Sequence, residues 1–243
     1  MRPFFVALQF LTQLPVRFTR YPEPQEIGGS LNYYPLVGLL LGFFLILFAW
    51  LLNDVSALLS AALLLSLWVG LTGGLHLDGL ADSADAWVGG LGERDKTLAI
   101  MKDPRSGPAA VVVLVLLLLV KFAALHAILS TQYWIALLLA PVLGRTVLPL
   151  LFLSTPYVRK QGLGSVFVDN MPSGIKWIML FTVFVLFLIS GSIALGMAVV
   201  AILVLLVLRH LMLKRLGGCT GDTAGALVEI TETSILLVIV IST

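Results

Sequence analysis

The chain has 243 residues, of which 59% are hydrophobic and only 12% are charged, and its formal net charge is +2. Soluble globular domains carry roughly 25% charged residues, so this composition excludes an ordinary soluble domain. A mean hydropathy of +1.06 indicates a membrane protein with several spans. No shift in composition marks a boundary, so we predict that residues 1–243 form a single all-α integral membrane domain. The one cysteine, Cys219, excludes an intramolecular disulfide.

The chain opens with a short apolar segment at residues 3–14, which predicts a helix with Phe4, Leu8 and Leu11 on one face. This segment is too short to cross a hydrocarbon core, which needs about 20 residues, so we predict an interfacial helix followed by a polar loop. Six longer apolar runs follow, at residues 35–52, 56–71, 108–129, 133–153, 177–208 and 222–241. The fifth run is too long for one span, so we predict a break near Gly191 and about seven transmembrane spans.

Three polar segments separate the apolar runs, at residues 73–107, 154–176 and 209–221. These segments and the N-terminus hold nearly all of the Lys and Arg residues, whereas the short connections at 53–55, 130–132 and 190–192 contain none. The positive-inside rule then predicts that all three polar segments are cytoplasmic inserts. The N-terminus is expected on the same side and the C-terminus outside.

Two cations, Lys121 and Arg145, lie within predicted spans. A charged group near the bilayer centre costs about 2.5–3.5 kcal/mol on insertion scales, so each needs a partner or a polar cavity. Glu229 and Glu232 in the last span are the candidate partners, with Asp222 at the start of that span. One interpretation is structural ion pairing between helices; the other is a cavity in which Arg145 contacts phosphate.

The first polar segment contains three aspartates, Asp78, Asp82 and Asp85, at positions i, i+4 and i+7. In a helix these side chains fall within about 60° of arc on one face, where like charges repel. A hard divalent cation such as Mg²⁺ relieves that repulsion, so we predict a metal site. The alternative is a solvated acidic face. For His76 two roles stay open, a structural hydrogen bond or a place in the site.

Cations and a further carboxylate accompany this acidic face. Lys102 and Arg105 lie in the turn MKDPRSGP, and Asp222 lies among glycines in GGCTGDTAGA on the same predicted side of the membrane. A carboxylate–Mg²⁺ cluster facing such cations can hold a diphosphate and stabilise charge in phosphoryl transfer. Asp222 is a candidate metal ligand or general base.

Five motifs together resemble the cobalamin synthase family, the adenosylcobinamide-GDP ribazoletransferases: GGLHLDGLADSADAW, LAIMKDPRSGP, GRTVLPL, QGLGSVF and GGCTGDTAGA. The resemblance covers nearly the whole chain. It implies a bacterial inner-membrane enzyme in which a hydroxyl of alpha-ribazole, or of its 5′-phosphate, displaces GMP from adenosylcobinamide-GDP, with Mg²⁺ required.

The same resemblance implies roles for individual residues. Metal binding is expected of Asp78, Asp82, Asp85 and Asp222, with Asp82 and Asp222 also catalytic. Binding of the substrate diphosphate is expected of Lys102, Arg105 and Arg145. Besides the two substrates, the expected partners are the lipid bilayer, a second copy of the chain and other cobalamin-assembly enzymes; nucleic acid is not among them.

Two other functions stay open from the residues. A CDP-alcohol phosphotransferase has the pattern D-x-x-D-G-x-x-A-R; Asp78 and Gly79 match it, but Leu75 stands in place of the first Asp and no Ala-Arg pair follows. A membrane transporter would use Lys121, Arg145 and Glu229 along a substrate path. Against transport, charge is concentrated in the polar segments and no inverted repeat of the spans is evident.

Overall fold

A computed structural model describes residues 1–159 and 163–242, and these residues form helices without a β-strand. The prediction of an all-α bundle is therefore confirmed. Lys160, one of the cations assigned to the second polar segment, and the first two residues of the QGLGSVF motif lie outside the described residues.

The described helices, in chain order, are α1 (Arg2–Leu11), α2 (Pro24–Ser30), a 3₁₀ turn (Leu31–Tyr33), α3 (Tyr34–Leu51), α4 (Ala57–Thr72), α5 (Leu75–Gly89), α6 (Arg94–Ile100), α7 (Pro108–Thr131), α8 (Ile135–Ser154), α9 (Leu163–Asp169), α10 (Ile175–Ser190), α11 (Ser192–Leu216) and α12 (Gly221–Ser242). Each apolar run found in the sequence is helical, and Gly191 separates α10 from α11 as predicted.

The N-terminal region holds one helix that the sequence predicts and one that it does not. Helix α1 is present and buries Val6, Ala7 and Leu11. The following stretch is not a simple loop, because α2 forms at Pro24–Ser30. A capping box between Glu23 and Glu26 starts this helix: the Glu23 amide donates to Glu26 Oε2 at 2.9 Å, and the Glu23 side chain accepts from the first turn in return.

Membrane-crossing helices were assessed by length and composition within the described residues. Five stretches qualify, namely Pro24–Leu51, α7, α8, α11 and α12, and a sixth is added if α4 and α5, which meet at 88°, are counted as one bent span. Helices α4 and α10 have 16 residues each. At 1.5 Å per residue they reach about 24 Å, short of a hydrocarbon core of about 30 Å. The chain is an integral membrane protein, and the count of seven spans stays a prediction.

Helices α8 and α12 form the centre of the bundle. Helix α8 packs on α3 and α12, and α12 also packs on α5, α7 and α11. The contact between α3 and α8 is backbone to backbone, since a Cβ added to Gly42 would lie 2.9 Å from the Leu138 Cα. Gly38 and Gly42 form the small-x-x-x-small spacing that membrane helices use for close approach.

The buried cations are paired inside this centre. Lys121 Nζ lies 3.0 Å from Glu229 Oε2 and 2.6 Å from Glu232 Oε2, while Arg145 Nη1 donates to Glu232 Oε1. Lys121 also lies over the Trp68 ring, 4.2 Å from its centroid. The predicted partners are therefore confirmed. Arg145 is 0% exposed, so the structure favours helix–helix pairing and does not support its expected contact with a diphosphate.

Candidate functional site

The acidic helix α5 is laid across one end of the bundle by two glycines. Gly73 and Gly74 have φ of 62° and 69°, a left-handed conformation that glycine adopts without steric penalty. They turn the chain by 88° between α4 and α5. Helix α5 therefore does not continue the direction of α4. The predicted helical spacing is confirmed: Asp78 is exposed, and Asp82 is partly buried one turn later.

Helix α12 begins directly against the acidic face. A Cβ added to Gly79 would lie 2.7 Å from the Asp222 backbone oxygen, and one added to Gly225 would lie 3.2 Å from the His76 oxygen. Any larger side chain at Gly79 would push the two helices apart. The glycines of LDGLAD and GDTAGA thus serve a helix crossing that brings Asp222 beside Asp78 and Asp82.

The meeting of these carboxylates changes the electrostatics of Asp82. Burial and the neighbouring charges of Asp78 and Asp222 raise the pKa of Asp82 to about 6, although Arg159 acts in the opposite direction. The side chains of Asp78 and Asp82 accept no hydrogen bond from any described residue. Both carboxylates are thus available to a cation or to a substrate proton.

The donor set fits Mg²⁺ by its chemistry. Asp78, Asp82 and Asp222 supply the hard oxygen ligands that this ion prefers. Within residues 1–159 and 163–242, no three acidic, histidine or cysteine side chains are gathered into a ready-made metal site. Mg²⁺ usually keeps several waters and uses one or two protein carboxylates together with substrate phosphates, so a loose cluster of this kind suffices.

Asp85, the third aspartate of the motif, has a different role in the structure. Its carboxylate accepts hydrogen bonds from the backbone amides of Gly107 at 2.5 Å and Ala110 at 2.9 Å. These amides belong to the N-cap and the first turn of α7, which otherwise has no side-chain cap. Asp85 thus caps α7 from a neighbouring helix, and this position suits a structural carboxylate better than a metal ligand.

We expect Asp85→Ala to lower the free energy of unfolding by about 1–2 kcal/mol, because two amides of α7 lose their acceptor. Thermal unfolding in detergent measures this loss. We expect added Mg²⁺ to raise the Tm of the wild type, and this increase should persist in Asp85→Ala and disappear in Asp78→Ala. An Asp85→Ala protein with unchanged Tm and no response to Mg²⁺ would instead make Asp85 a metal ligand.

Arg159 also belongs to the site, although the sequence indicates only that it is a cation of the second polar segment. Its Nη2 lies 2.6 Å from Asp222 Oδ2 and 3.4 Å from the Met101 backbone oxygen. A short backbone ladder brings it there, since Val158 N donates to Cys219 O at 2.9 Å and Cys219 N donates to Pro156 O at 2.8 Å. These backbone hydrogen bonds join distant parts of the chain, so no local sequence pattern predicts them.

The turn that carries Lys102 and Arg105 lies at the edge of this cluster. Its Met101 contacts Arg159, and its Gly107 contacts Asp85. Lys102 is exposed. Arg105 is bound to Asp103 at 2.9 and 2.6 Å, and this pairing lowers the pKa of Asp103 to about 2. The structure therefore places this turn beside the site, and it engages Arg105 with Asp103 inside the turn.

A cavity of about 260 Å³ lies against the cluster. We call it the aromatic cavity, because five of the residues that line it carry aromatic rings: Phe10, Tyr34, Phe152, Tyr157 and Phe167. Asp78, Arg159 and Asp222 line the same cavity, as does His76. The site thus combines a charged part at the meeting of α5 and α12 with an apolar chamber beside it.

Comparison with known proteins identifies the relatives of this chain. The family model described as Cobalamin-5-phosphate synthase matches residues 3–240. An adenosylcobinamide-GDP ribazoletransferase of Pseudomonas putida is 56% identical over 239 residues, covering 98% of both chains. Proteins of the same name from Pseudomonas savastanoi pv. phaseolicola and Stutzerimonas stutzeri are 53% and 55% identical, covering 98% of this chain and 98% and 97% of theirs. No solved structure matches at a significant level.

Proposed function

Because the chain belongs to the cobalamin-5-phosphate synthase family, it is a membrane transferase of cobalamin synthesis, and we propose that Asp78, Asp82, Asp222 and Arg159 form its reaction centre. The proposed reaction joins ribazole, or its 5′-phosphate, to adenosylcobinamide-GDP with release of GMP. The observation that carries the assignment is the crossing of α5 and α12, which brings the acidic face against Asp222 and its partner Arg159. A match over nearly the full chain sets aside the CDP-alcohol phosphotransferase and transporter alternatives.

The proposed bond changes define what the residues must do. The acceptor hydroxyl oxygen bonds to the phosphorus attached to cobinamide, and the bond from that phosphorus to the bridging oxygen breaks. GMP departs with the bridging oxygen, and the hydroxyl proton needs an acceptor. Asp82 suits this task, because its carboxylate lies partly buried beside Asp78 and Asp222 and accepts no hydrogen bond from the described residues.

The other charged groups suit the diphosphate. Arg159 presents a guanidinium at the edge of the aromatic cavity, and guanidinium groups bind phosphate oxygens with two parallel hydrogen bonds. Asp78 and Asp222 would hold Mg²⁺, with Asp82 in reach. When bound, that ion would neutralise charge on the diphosphate. Lys102, exposed on the adjacent turn, would add attraction for the anionic donor.

We further propose that this end of the bundle faces the cytoplasm. Helix α5, the turn after α6 and the start of α12 all belong to the first and third polar segments or their borders. The support for this orientation is the concentration of Lys and Arg in those segments. Cysteine labelling from either side of sealed vesicles, at exposed Lys102 replaced by cysteine, would test it.

The function is tested by GMP release from purified protein in detergent or liposomes, with adenosylcobinamide-GDP, ribazole and Mg²⁺ supplied together. We expect GMP in amounts equal to the joined product. A folded, monodisperse preparation that releases no GMP under these conditions would overturn the assignment.

Arg159→Ala should lower kcat/KM for the GDP-containing donor about ten- to a hundredfold, the effect of losing charge-assisted hydrogen bonds to an anion. Arg159→Lys should recover only part of this loss, because an ammonium cannot bind two oxygens in the same plane. Lys96→Ala, which removes an exposed cation from α6, is the matched control. Equal losses in the Lys96 and Arg159 variants would show that only overall charge matters.

A further inference from the structure

We propose that the aromatic cavity is the binding site for the flat heteroaromatic base of the acceptor nucleoside, and that His76 is the polar group that recognises this base. The proposal rests on the proposed function, and it assigns the acceptor to a chamber separate from the diphosphate cluster. It names His76 and the surrounding rings as determinants of acceptor specificity.

The walls of the cavity suit a flat apolar ring. Phe10 and Phe167 lie with ring centroids 5.0 Å apart, and Tyr34 lies 6.3 Å from Phe167. On another side, Phe152 and Tyr157 lie 6.3 Å apart. Rings at these separations offer faces and edges on which a planar base can stack. Nucleic-acid-binding proteins use the same kind of contact for single bases.

The size of the cavity decides which part of the reaction it can hold. Its volume of about 260 Å³ falls below the roughly 300–1,000 Å³ of sites that enclose a drug-sized ligand. A corrinoid macrocycle with its nucleotide tail is much larger than that, so it must remain outside. A bicyclic base is of the right size. Ribazole, the acceptor in the relatives' names, is a riboside of such a base.

His76 gives the chamber a polar group without a partner. The residue is 4% exposed, lines the cavity, and its Nδ1 has no hydrogen-bond partner among the described residues. Buried polar atoms are nearly always hydrogen-bonded in native proteins, so an unpartnered nitrogen in a residue that lines a cavity points to a ligand. The free ring nitrogen of such a riboside carries no hydrogen and accepts, so the His76 imidazole would donate to it.

The position of the charged residues fits this occupant. Asp78, Asp222 and Arg159 line the same cavity, so a base held among the rings would have its ribose beside the carboxylates and the guanidinium. The attacking hydroxyl would then lie where the diphosphate is held. The cavity would thus hold the acceptor in a fixed position relative to the donor. Holding two reactants in this way makes a bimolecular reaction effectively unimolecular.

The test measures ribazole binding and turnover on the full-length protein in detergent. Calorimetric titration with ribazole alone gives Kd, and steady-state GMP release gives KM for each substrate. We expect His76→Phe and Phe10→Leu each to raise Kd and KM for ribazole about tenfold, the effect of losing one hydrogen bond or one stacking contact. The KM for the GDP-containing donor should stay within about twofold of the wild type.

Phe4→Leu is the matched control for Phe10→Leu. Both phenylalanines are partly buried in α1, but Phe4 packs on Phe5 and Tyr33 outside the cavity. A second comparison uses a ribazole analogue whose free ring nitrogen is replaced by CH. The wild type should bind this analogue about tenfold more weakly than ribazole, and His76→Phe should bind the two alike.

Unchanged ribazole binding in both cavity variants, or a raised KM for the donor alone, would overturn the proposal while wild-type GMP release still upheld the function. Ribazole binding that the cavity variants weaken, without GMP release from the wild type, would have the opposite meaning: the cavity assignment would hold and the proposed reaction would be wrong. If His76→Phe does not fold, Phe10→Leu with its Phe4→Leu control decides the question.

Discussion

Asp82→Asn is expected to lower GMP release by about 10²–10⁴-fold, the range that a positioned proton acceptor contributes, while the protein inserts and folds as the wild type does. Asparagine keeps the shape of the side chain but removes both its charge and its basicity. Asp82 is only partly buried and accepts no hydrogen bond from the described residues, so little of the fold depends on its carboxylate. Removing one of several clustered negative charges should even relieve repulsion within α5.

The measurement is single-turnover GMP release at saturating Mg²⁺ and donor, together with size-exclusion behaviour in detergent. Asp95→Asn is the matched control, because Asp95 belongs to the same polar segment and its side chain is 95% exposed. Turnover at the wild-type rate in Asp82→Asn would remove Asp82 from the reaction centre. A loss in both variants would point instead to the net charge of the segment.

Glu232→Ala is expected to destabilise the protein by about 3–5 kcal/mol, the usual cost of removing one partner from a buried ion pair. Glu232 bonds to both Lys121 and Arg145, and all three side chains are at most 3% exposed. Without Glu232, two cations in the bundle centre share one carboxylate. Glu229→Ala should cost less, because Glu229 bonds only to Lys121, which retains Glu232.

Thermal unfolding in detergent ranks these variants. A double variant, Glu232→Leu with Arg145→Met, should recover most of the stability. It removes both partners of the Arg145–Glu232 pair and leaves Lys121 bonded to Glu229. If that double variant were stable but released no GMP, the Glu232–Arg145 pair would be needed for turnover. Equal Tm values for the two glutamate variants would contradict the shared role of Glu232.

The acidic face of α5 and the pairing of the buried cations could be predicted from the sequence. The first depends only on local spacing, and the second had few possible partners. The spacing of Asp78, Asp82 and Asp85 defines a helix face wherever the helix lies. A charge among apolar residues must find a partner, and Glu229 and Glu232 are the carboxylates within the last span beyond its first residue, so their pairing with Lys121 could be predicted. The family resemblance read from the motifs is likewise confirmed.

The remaining features depend on contacts between distant residues. A shared helix face does not reveal that Asp85 caps α7, because its partners, the amides of Gly107 and Ala110, lie in another element. The aromatic cavity draws its rings from Phe10, Tyr34 and Phe167, which no sequence spacing relates. The charge of Arg145 predicts a contact with the diphosphate, and only the structure reveals that its side chain is fully buried and bonded to Glu232.

The ladder between Pro156–Val158 and Cys219 limits how the length of this chain can vary. Arg159 follows the ladder by one residue on one side, and Asp222 follows Cys219 by three residues on the other. The ladder therefore fixes the position of Arg159 relative to Asp222 through the number of residues that separate each of them from the ladder. One residue inserted or deleted in either arm would slide Arg159 past Asp222 and leave every helix intact. Natural variation at this point should exchange residue types but keep the residue count.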